Sequence, residues 1–449
     1  MVQPKKTPIY LALRTCVSIA SFFFFKKKEV HFAEPLPKDK KPMIFVGNHQ
    51  CTFMDPMQIG IGGNYSPSFM TRADAFNNPF LRKFMFAIRL SPIYRLNDGP
   101  DFIEKNELVF NNAIEQLEAN LQFVIFGEGS HSSERRLRLL KKGFARIGFD
   151  ALERNNGTLD VQVVPVGVEY WDFVKMHQNL LVSYGKPIAL KDYWEDYQEN
   201  QKKTLITVKN LVYDRLKELV IHITSKKHYT SVENLRLIVR PWLYEQMGVD
   251  SSSLFACKNA DQKMIDALYD YEQNQAEAMD AFAQRIDAYS NQLEQINFRN
   301  KFIINPPTSR LSIVLQLLLM MLFLPIYIIG GITGYLPYII PVKLGRKLFK
   351  DKMFYSSVGM TGGMVVFPVF WLVYTLLALL ITGSGLSTLL IALFLPFSWW
   401  FAFRYFMAGK KLWHQWRFIN FNHKNATVIE DLKAQYNAII NEVKTVLNL

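Results

Sequence analysis

Three stretches decide most of what this chain can become: residues 311–330, 364–381 and 386–407 carry no charge except Arg404 near the end of the third. Each is close to the roughly 20 residues that a helix needs to cross about 30 Å of hydrocarbon. A membrane domain of helices is the plainest consequence. Lys343, Arg346, Lys347, Lys350 and Lys352 lie between the first two stretches, and such basic loops stay on the cytoplasmic side. The basic body before Arg310 should lie there too, so residues 311–342 are expected to enter and leave on one side. Gly330, Gly331, Gly334 and Pro337 supply a break for that hairpin, which is short for two full spans. A second hairpin, turning at residues 383–385, returns Lys410, Lys411 and Arg417 to the same face.

The 52 Lys and Arg exceed 39 Asp and Glu, giving +13 over 449 residues. Such a surplus attracts nucleic acid, anionic lipid or phosphorylated metabolites alike. Here many bases flank apolar stretches, at residues 22–28 and 410–417, which is the juxtamembrane pattern. No nucleic-acid module is present in the sequence, so membrane lipid is the expected partner. Cys16, Cys51 and Cys257 are far apart and odd in number, which supports neither a disulfide framework nor a metal site and fits a cytoplasm-facing body. The apolar run 9–25 lacks a cleavage site and contains Arg14. It reads as an uncleaved interfacial helix with Arg14 snorkelling and Lys26, Lys27 and Lys28 on lipid phosphates; a transmembrane anchor is the alternative.

Beyond a linker marked by Pro35 and Pro37, residues 43–46, 123–126 and 161–168 read as short buried strands, and 108–121 has helical periodicity. Alternating strands and helices predict an α/β domain with a mainly parallel sheet over residues 38–225, its active edge where loops leave the strand ends. Val212, Leu216, Leu219 and Ile223 begin a polar, helical stretch, giving an all-helical extension at 226–307 in which 266–296 forms one long helix or a hairpin. The resulting organisation is an interfacial helix and linker (1–37), the α/β domain, the helical extension, and a domain of C-terminal transmembrane helices with an amphipathic tail (308–449).

The chemistry concentrates at two turns. In Gly47-Asn48-His49-Gln50-Cys51-Thr52-Phe53-Met54-Asp55-Pro56, a histidine and a carboxylate follow a buried strand. A hydroxyl is a poor nucleophile at neutral pH, and imidazole is the usual base that activates it. A carboxylate on the other ring nitrogen fixes the tautomer. Taken alone the pair also fits an ordinary capped loop. The second turn, Phe126-Gly127-Glu128-Gly129-Ser130-His131-Ser132, places two glycines around one carboxylate and is followed by Arg135, Arg136, Arg138, Lys141 and Lys142. Glycines let a backbone approach a ligand, and the bases suit a phosphate, although a solvated helix face would look the same. His131 is either a phosphate donor or a surface group. Cys51 beside the base is conceivable as a nucleophile, but nothing in the sequence lowers its thiol pKa.

These residues, with Ser91-Pro92-Ile93-Tyr94-Arg95 and Val164-Pro165-Val166-Gly167, resemble in order the four blocks of the glycerolipid acyltransferases of the 1-acylglycerol-3-phosphate acyltransferase type. The resemblance covers residues 8–225. It implies His49 as base and Asp55 as its partner, Arg95, Glu128, Gly129 and Ser130 at the acceptor, and the fourth block on the acyl-donor side. It implies direct acyl transfer from acyl-CoA or acyl carrier protein as cosubstrate to a lysophosphatidate-type hydroxyl, in phospholipid biosynthesis, with no metal or bound cofactor. Two departures stand out. Five residues separate His49 from Asp55 where the family commonly has four, which keeps glycerol 3-phosphate, a lysophospholipid or an amino-acid lipid open as acceptor. Gly127 replaces a common proline. A non-catalytic lipid-binding protein is the reading from another class, and intact His49, Asp55 and Glu128 argue against it. A transporter is disfavoured by Arg404 being nearly alone as a charge in the spans.

Overall fold

The computed structural model describes residues 7–37, 41–94, 99, 101–307 and 309–449. They divide into two compact units, one running to His222 and taking in Ser253–Phe255 and Leu344–Met364, the other made of Ile223–Ser252, Ala256–Lys343 and Val365–Leu449.

The first unit begins with helix α1 (Pro8–Phe24), strand β1 (Lys27–Phe32), β2 (Met43–Gly47), α2 (Met54–Gly62), β3 (Ser68–Arg72), α3 (Pro79–Ala87) and β4 (Leu90–Ile93). It continues through α4 (Phe102–Glu118), β5 (Gln122–Phe126), α5 (Gly143–Arg154), β6 (Gln162–Tyr170), β7 (Asn179–Tyr184), β8 (Ile188–Ala189), α6 (Trp194–Glu199) and α7 (Gln201–Leu219). The strands form one sheet in the order β1-β7-β6-β2-β5-β3-β4, with β8 on β6. All pairs are parallel except β6 with β7 and with β8, so the sheet is mainly parallel as the alternating pattern predicts. Every residue of β2 and β6 is buried, the condition that makes such strands read as unbroken apolar runs. Alternate side chains serve two cores. Ile44, Val46, Phe123, Ile125 and Val163 pack with Phe144, Ile147, Val212 and Leu216. Met43, Phe45, Val124, Val164 and Val166 pack with Val17, Met54, Ile59 and Tyr184.

The N-terminus departs from expectation. Residues 9–24 are helical, but Arg14 does not snorkel: its Nε and Nη2 donate to Gly60 O (3.3 Å) and Gly63 O (2.5 Å). The carbonyls left over at the end of α2 recruit it. Lys27 and Lys28 belong to strand β1. Lys28 Nζ donates to Gln58 Oε1 at 3.0 Å, and burial brings its amine down to about 8. The outward face of α1, with Ile9, Leu11, Ile19 and Phe22, stays exposed.

In the second unit α8 (Tyr229–Gln246), α9 (Leu254–Asn274), α10 (Ala276–Ile296) and α11 (Asn300–Ile304) make up the helical extension, and the stretch 266–296 breaks at Gln275. Then come α12 (Arg310–Leu322), α13 (Leu324–Leu348), α14 (Met353–Thr382), α15 (Gly385–Lys424) and α16 (Ala426–Leu447). Among the described residues three helices, α13, α14 and α15, are long and apolar enough to cross a membrane. The first expected span is therefore misplaced. Its break falls at Phe323, which caps α12, ahead of Pro325 in the first turn of α13, where proline is tolerated. The glycines expected to turn the chain lie inside α13. A Cβ on Gly330 would stand 2.1 Å from Ser398 O, and one on Gly334 2.8 Å from Trp399 Cδ1. Their smallness admits α15, as small residues do between membrane helices.

Candidate active site

Because β2 and β5 are neighbouring parallel strands with Gly47 opposite Phe126, the chains leaving them emerge side by side at one sheet edge. Asn48 fixes the first exit: its Nδ2 donates to Val168 O (3.0 Å) and its Oδ1 accepts Val168 N–H (2.7 Å) from β6. His49 follows, its ring stacked on Phe126 with centroids 4.2 Å apart. The chain then turns through Thr52 in the left-handed region, φ +37°. That turn brings Asp55, in the first turn of α2, back to His49 across five intervening residues.

Asp55 is fully buried and its oxygens are all engaged. Oδ2 lies 2.8 Å from His49 Nδ1 and accepts the backbone N–H groups of Gln50 and Cys51, each at 2.8 Å. Oδ1 accepts the Tyr170 hydroxyl at 2.9 Å. Burial, then the Asp55 charge, push the Tyr170 phenol well above its ordinary range, so it remains a donor. A carboxylate at the N-terminal turn of a helix is also favoured by the helix dipole. With Nδ1 facing Asp55, the tautomer places the free lone pair on His49 Nε2, which has no hydrogen-bond partner among the described residues. The His49 side chain is 19 % exposed. This is the arrangement of a base poised to take a proton from an incoming hydroxyl.

Glu128 is placed differently from its expected duty at the acceptor. Its side chain is 3 % exposed; Oε1 accepts the His49 backbone N–H (2.9 Å), and Oε2 accepts Arg138 N–H and Nε–H, both at 3.1 Å. It clamps the His49 turn to the Arg138 segment. Ser130 Oγ accepts Arg138 Nη1 at 2.9 Å, and Ser132 N–H donates to His49 O at 3.0 Å. Gly129 sits at φ +77°, where a Cβ would also stand 2.9 Å from Lys141 Nζ. Arg135, read as part of a phosphate-binding run, is buried in an ion pair with Glu169, donates to Tyr170 O at 2.7 Å and lies over the Phe173 ring. Lys141 and Lys142 are the exposed bases of that run. Arg95 lies outside the described residues. The fourth block is interior strand: a Cβ on Gly167 would stand 2.7 Å from Leu219 O.

Four supports escaped the sequence reading, and three come from one distant segment. Thr52 Oγ1 meets Ser357 Oγ at 2.7 Å, Cys51 Sγ meets Ser356 Oγ at 3.2 Å, and His131 Nε2 meets Asp351 Oδ2 at 2.8 Å. The fourth is Tyr170, the last residue of β6. Burial, then the Asp55 carboxylate, push the Cys51 thiol up, which rules against a thiolate nucleophile there. Among the described residues no three His, Cys, Asp or Glu side chains gather as a metal site would require.

Residues 27–169 match the family model described as Acyltransferase. No curated protein matches the chain. Among solved structures, the 1-acyl-sn-glycerophosphate (LPA) acyltransferase PlsC from Thermotoga maritima is similar at 18 % identity with a TM-score of 0.32, over 46 % of this chain and 78 % of that one.

Proposed function

We propose that this chain, whose residues 27–169 are an acyltransferase domain, is a membrane enzyme that moves a fatty acyl group from a thioester donor to the hydroxyl of a lysophosphatidate-type acceptor. The observation that carries the reading is the 2.8 Å contact of His49 Nδ1 with a fully buried Asp55 that leaves Nε2 open at the sheet edge. His49 Nε2 takes the hydroxyl proton as the oxygen attacks the thioester carbonyl of acyl-CoA or acyl carrier protein. Asp55 holds the tautomer and stabilises the imidazolium that forms. The tetrahedral intermediate then expels the thiolate, which leaves with the proton from Nε2, so no acyl-enzyme forms. The backbone N–H groups of Ser130 and His131 donate to nothing among the described residues and are available to meet the oxyanion.

Three span-length helices favour a lipid acceptor, and the exposed Lys141 and Lys142 favour an anionic head on it. Glu128 serves this site indirectly, by fixing the His49 backbone. Basic residues beside the apolar helices, around Lys347 and Lys410, support a cytoplasmic side for these segments. The test is acyl transfer by the purified chain in lipid micelles, with labelled acyl-CoA and acyl carrier protein offered to lysophosphatidate, glycerol 3-phosphate and lysophospholipids. Product with lysophosphatidate, abolished in a folded His49→Ala variant, is expected. Equal product from that variant refutes His49 as base, and no product with any pair moves the chain to the lipid-binding class.

A further inference from the structure

Asp351 is the single Asp or Glu between Glu294 and Glu430, a stretch of apolar helices and bases. It stands in the connection between α13 and α14, and its oxygens have separate tasks. Oδ1 accepts the backbone N–H of Met353 (2.9 Å), which starts α14, while Oδ2 lies 2.8 Å from His131 Nε2. His131 belongs to the loop after β5. Its ring meets His49 edge-on at 5.8 Å and Phe354 edge-on at 5.6 Å. Its Nδ1 has no partner among the described residues. The contacts of Thr52 with Ser357 and of Cys51 with Ser356 tie the same segment to the His49–Asp55 turn. Residues 351–357 lie beyond the 27–169 match, so a piece of the membrane-proximal chain reaches the turn that carries the reacting histidine.

A carboxylate on one ring nitrogen fixes how the other points; where the histidine holds a metal, removing such a partner costs about tenfold or more in metal affinity or activity, and that is the scale taken here for a held phosphate. An imidazolium donates from both ring nitrogens, one to a carboxylate and the other to an incoming anion. Partial burial would raise the Asp351 carboxyl, but the hydrogen bonds from His131 and from Met353 N–H, with the His131 charge, hold it below the usual carboxylate range.

We propose that Asp351 is a positioning residue of the acceptor site: it turns His131 so that Nδ1–H meets the phosphomonoester of the acceptor while His49 Nε2 takes the hydroxyl proton. The assignment rests on the acyltransferase reading above. The test uses the full chain in micelles with Asp351→Asn, which keeps Oδ1 for the Met353 N–H and removes the charge. KM for lysophosphatidate rises about tenfold, with a smaller change in kcat, whereas KM for monoacylglycerol, which lacks the phosphate, moves far less. His131→Gln raises the lysophosphatidate KM at least as much, and the double variant matches His131→Gln alone. Binding of a lysophosphatidate whose acceptor hydroxyl is methylated, measured by equilibrium dialysis, weakens by the same factor whether or not the chain turns over. Unchanged binding and KM in Asp351→Asn, or equal losses on both acceptors, overturn the assignment; should that variant not fold, an unchanged KM in His131→Gln does so. Weakened binding in a chain that acylates nothing leaves the site standing and removes the catalytic reading instead.

Discussion

Replacing Asp55 by asparagine separates what the carboxylate does for the fold from what it does for the reaction. An asparagine oxygen in the place of Oδ2 can still accept the N–H groups of Gln50 and Cys51 and the Nδ1–H of His49, all now at 2.8 Å. The amide nitrogen then faces the Tyr170 hydroxyl, which can turn to accept and leaves its own proton without the Oδ1 acceptor, a loss of about one satisfied donor worth roughly 1 kcal/mol. The charge opposite the forming imidazolium is gone. In a serine-protease triad the same change lowers kcat by about 10⁴ because the imidazole is held in the wrong tautomer, equivalent to roughly 5 kcal/mol of barrier; here the tautomer is kept and only the charge is lost, so that figure is an upper bound. Asp55→Asn is therefore expected to lower kcat by about 10³–10⁴ with little change in KM or melting temperature. Asp55→Ala behaves differently. It strands two backbone N–H groups and the Tyr170 hydroxyl in a site with no solvent access, at about 1–3 kcal/mol each. The total of about 3–9 kcal/mol rivals the stability of a whole domain. Single-turnover acyl transfer and thermal unfolding of the two variants, side by side, are the assay. An asparagine variant within tenfold of the parent, or an alanine variant as stable as the parent, would refute the reasoning.

Two further outcomes follow from the packing. His222 is buried, its Nδ1 accepts Leu137 N–H at 3.1 Å, and burial, then Lys217 and Arg136, lower it to about 4. The unfolded chain therefore takes up this proton first: stability is full above about pH 6.5 and falls by up to roughly 3 kcal/mol as the pH drops to about 4, a slope that His222→Gln should flatten in melting curves across that range. Gly330→Ala puts a Cβ 2.1 Å from Ser398 O, whereas Gly331→Ala meets nothing within 4 Å; in detergent the first should lower the unfolding temperature and the second leave it unchanged or raised, and equal effects would mean that α13 and α15 do not pack at Gly330.

What was legible in the sequence was what neighbours in the chain decide. The buried strands 43–46 and 123–126 are apolar without interruption because helices cover both faces of the sheet, and their ends deliver His49 and Glu128 to one edge. The pairing of His49 with Asp55 needs only a turn. Strand β1 was hidden because Lys27-Lys28-Glu29-Val30-His31-Phe32 is an edge strand, paired on one side only, and edges tolerate charge that a central strand does not. Arg14 and Glu128 were read by their charge, as groups waiting for lipid or acceptor. Their partners include backbone groups 46 and 79 residues away, and no local pattern announces such bonds. Gly330 and Gly334 were read as a turn because glycine permits one; in an apolar helix the same residue more simply removes a side chain from a helix contact. Asp351 is the instructive case. A single carboxylate between apolar helices and bases needs a partner, by the reasoning that makes any ionisable group near a span a candidate for function. The sequence displayed that isolation plainly. It held no sign that the partner would be His131, since the two are 220 residues apart and only the fold puts them 2.8 Å from each other. If Asp351 has the proposed role, specificity would vary through residues 351–357, outside the 27–169 match, while His49 and Asp55 stay the same.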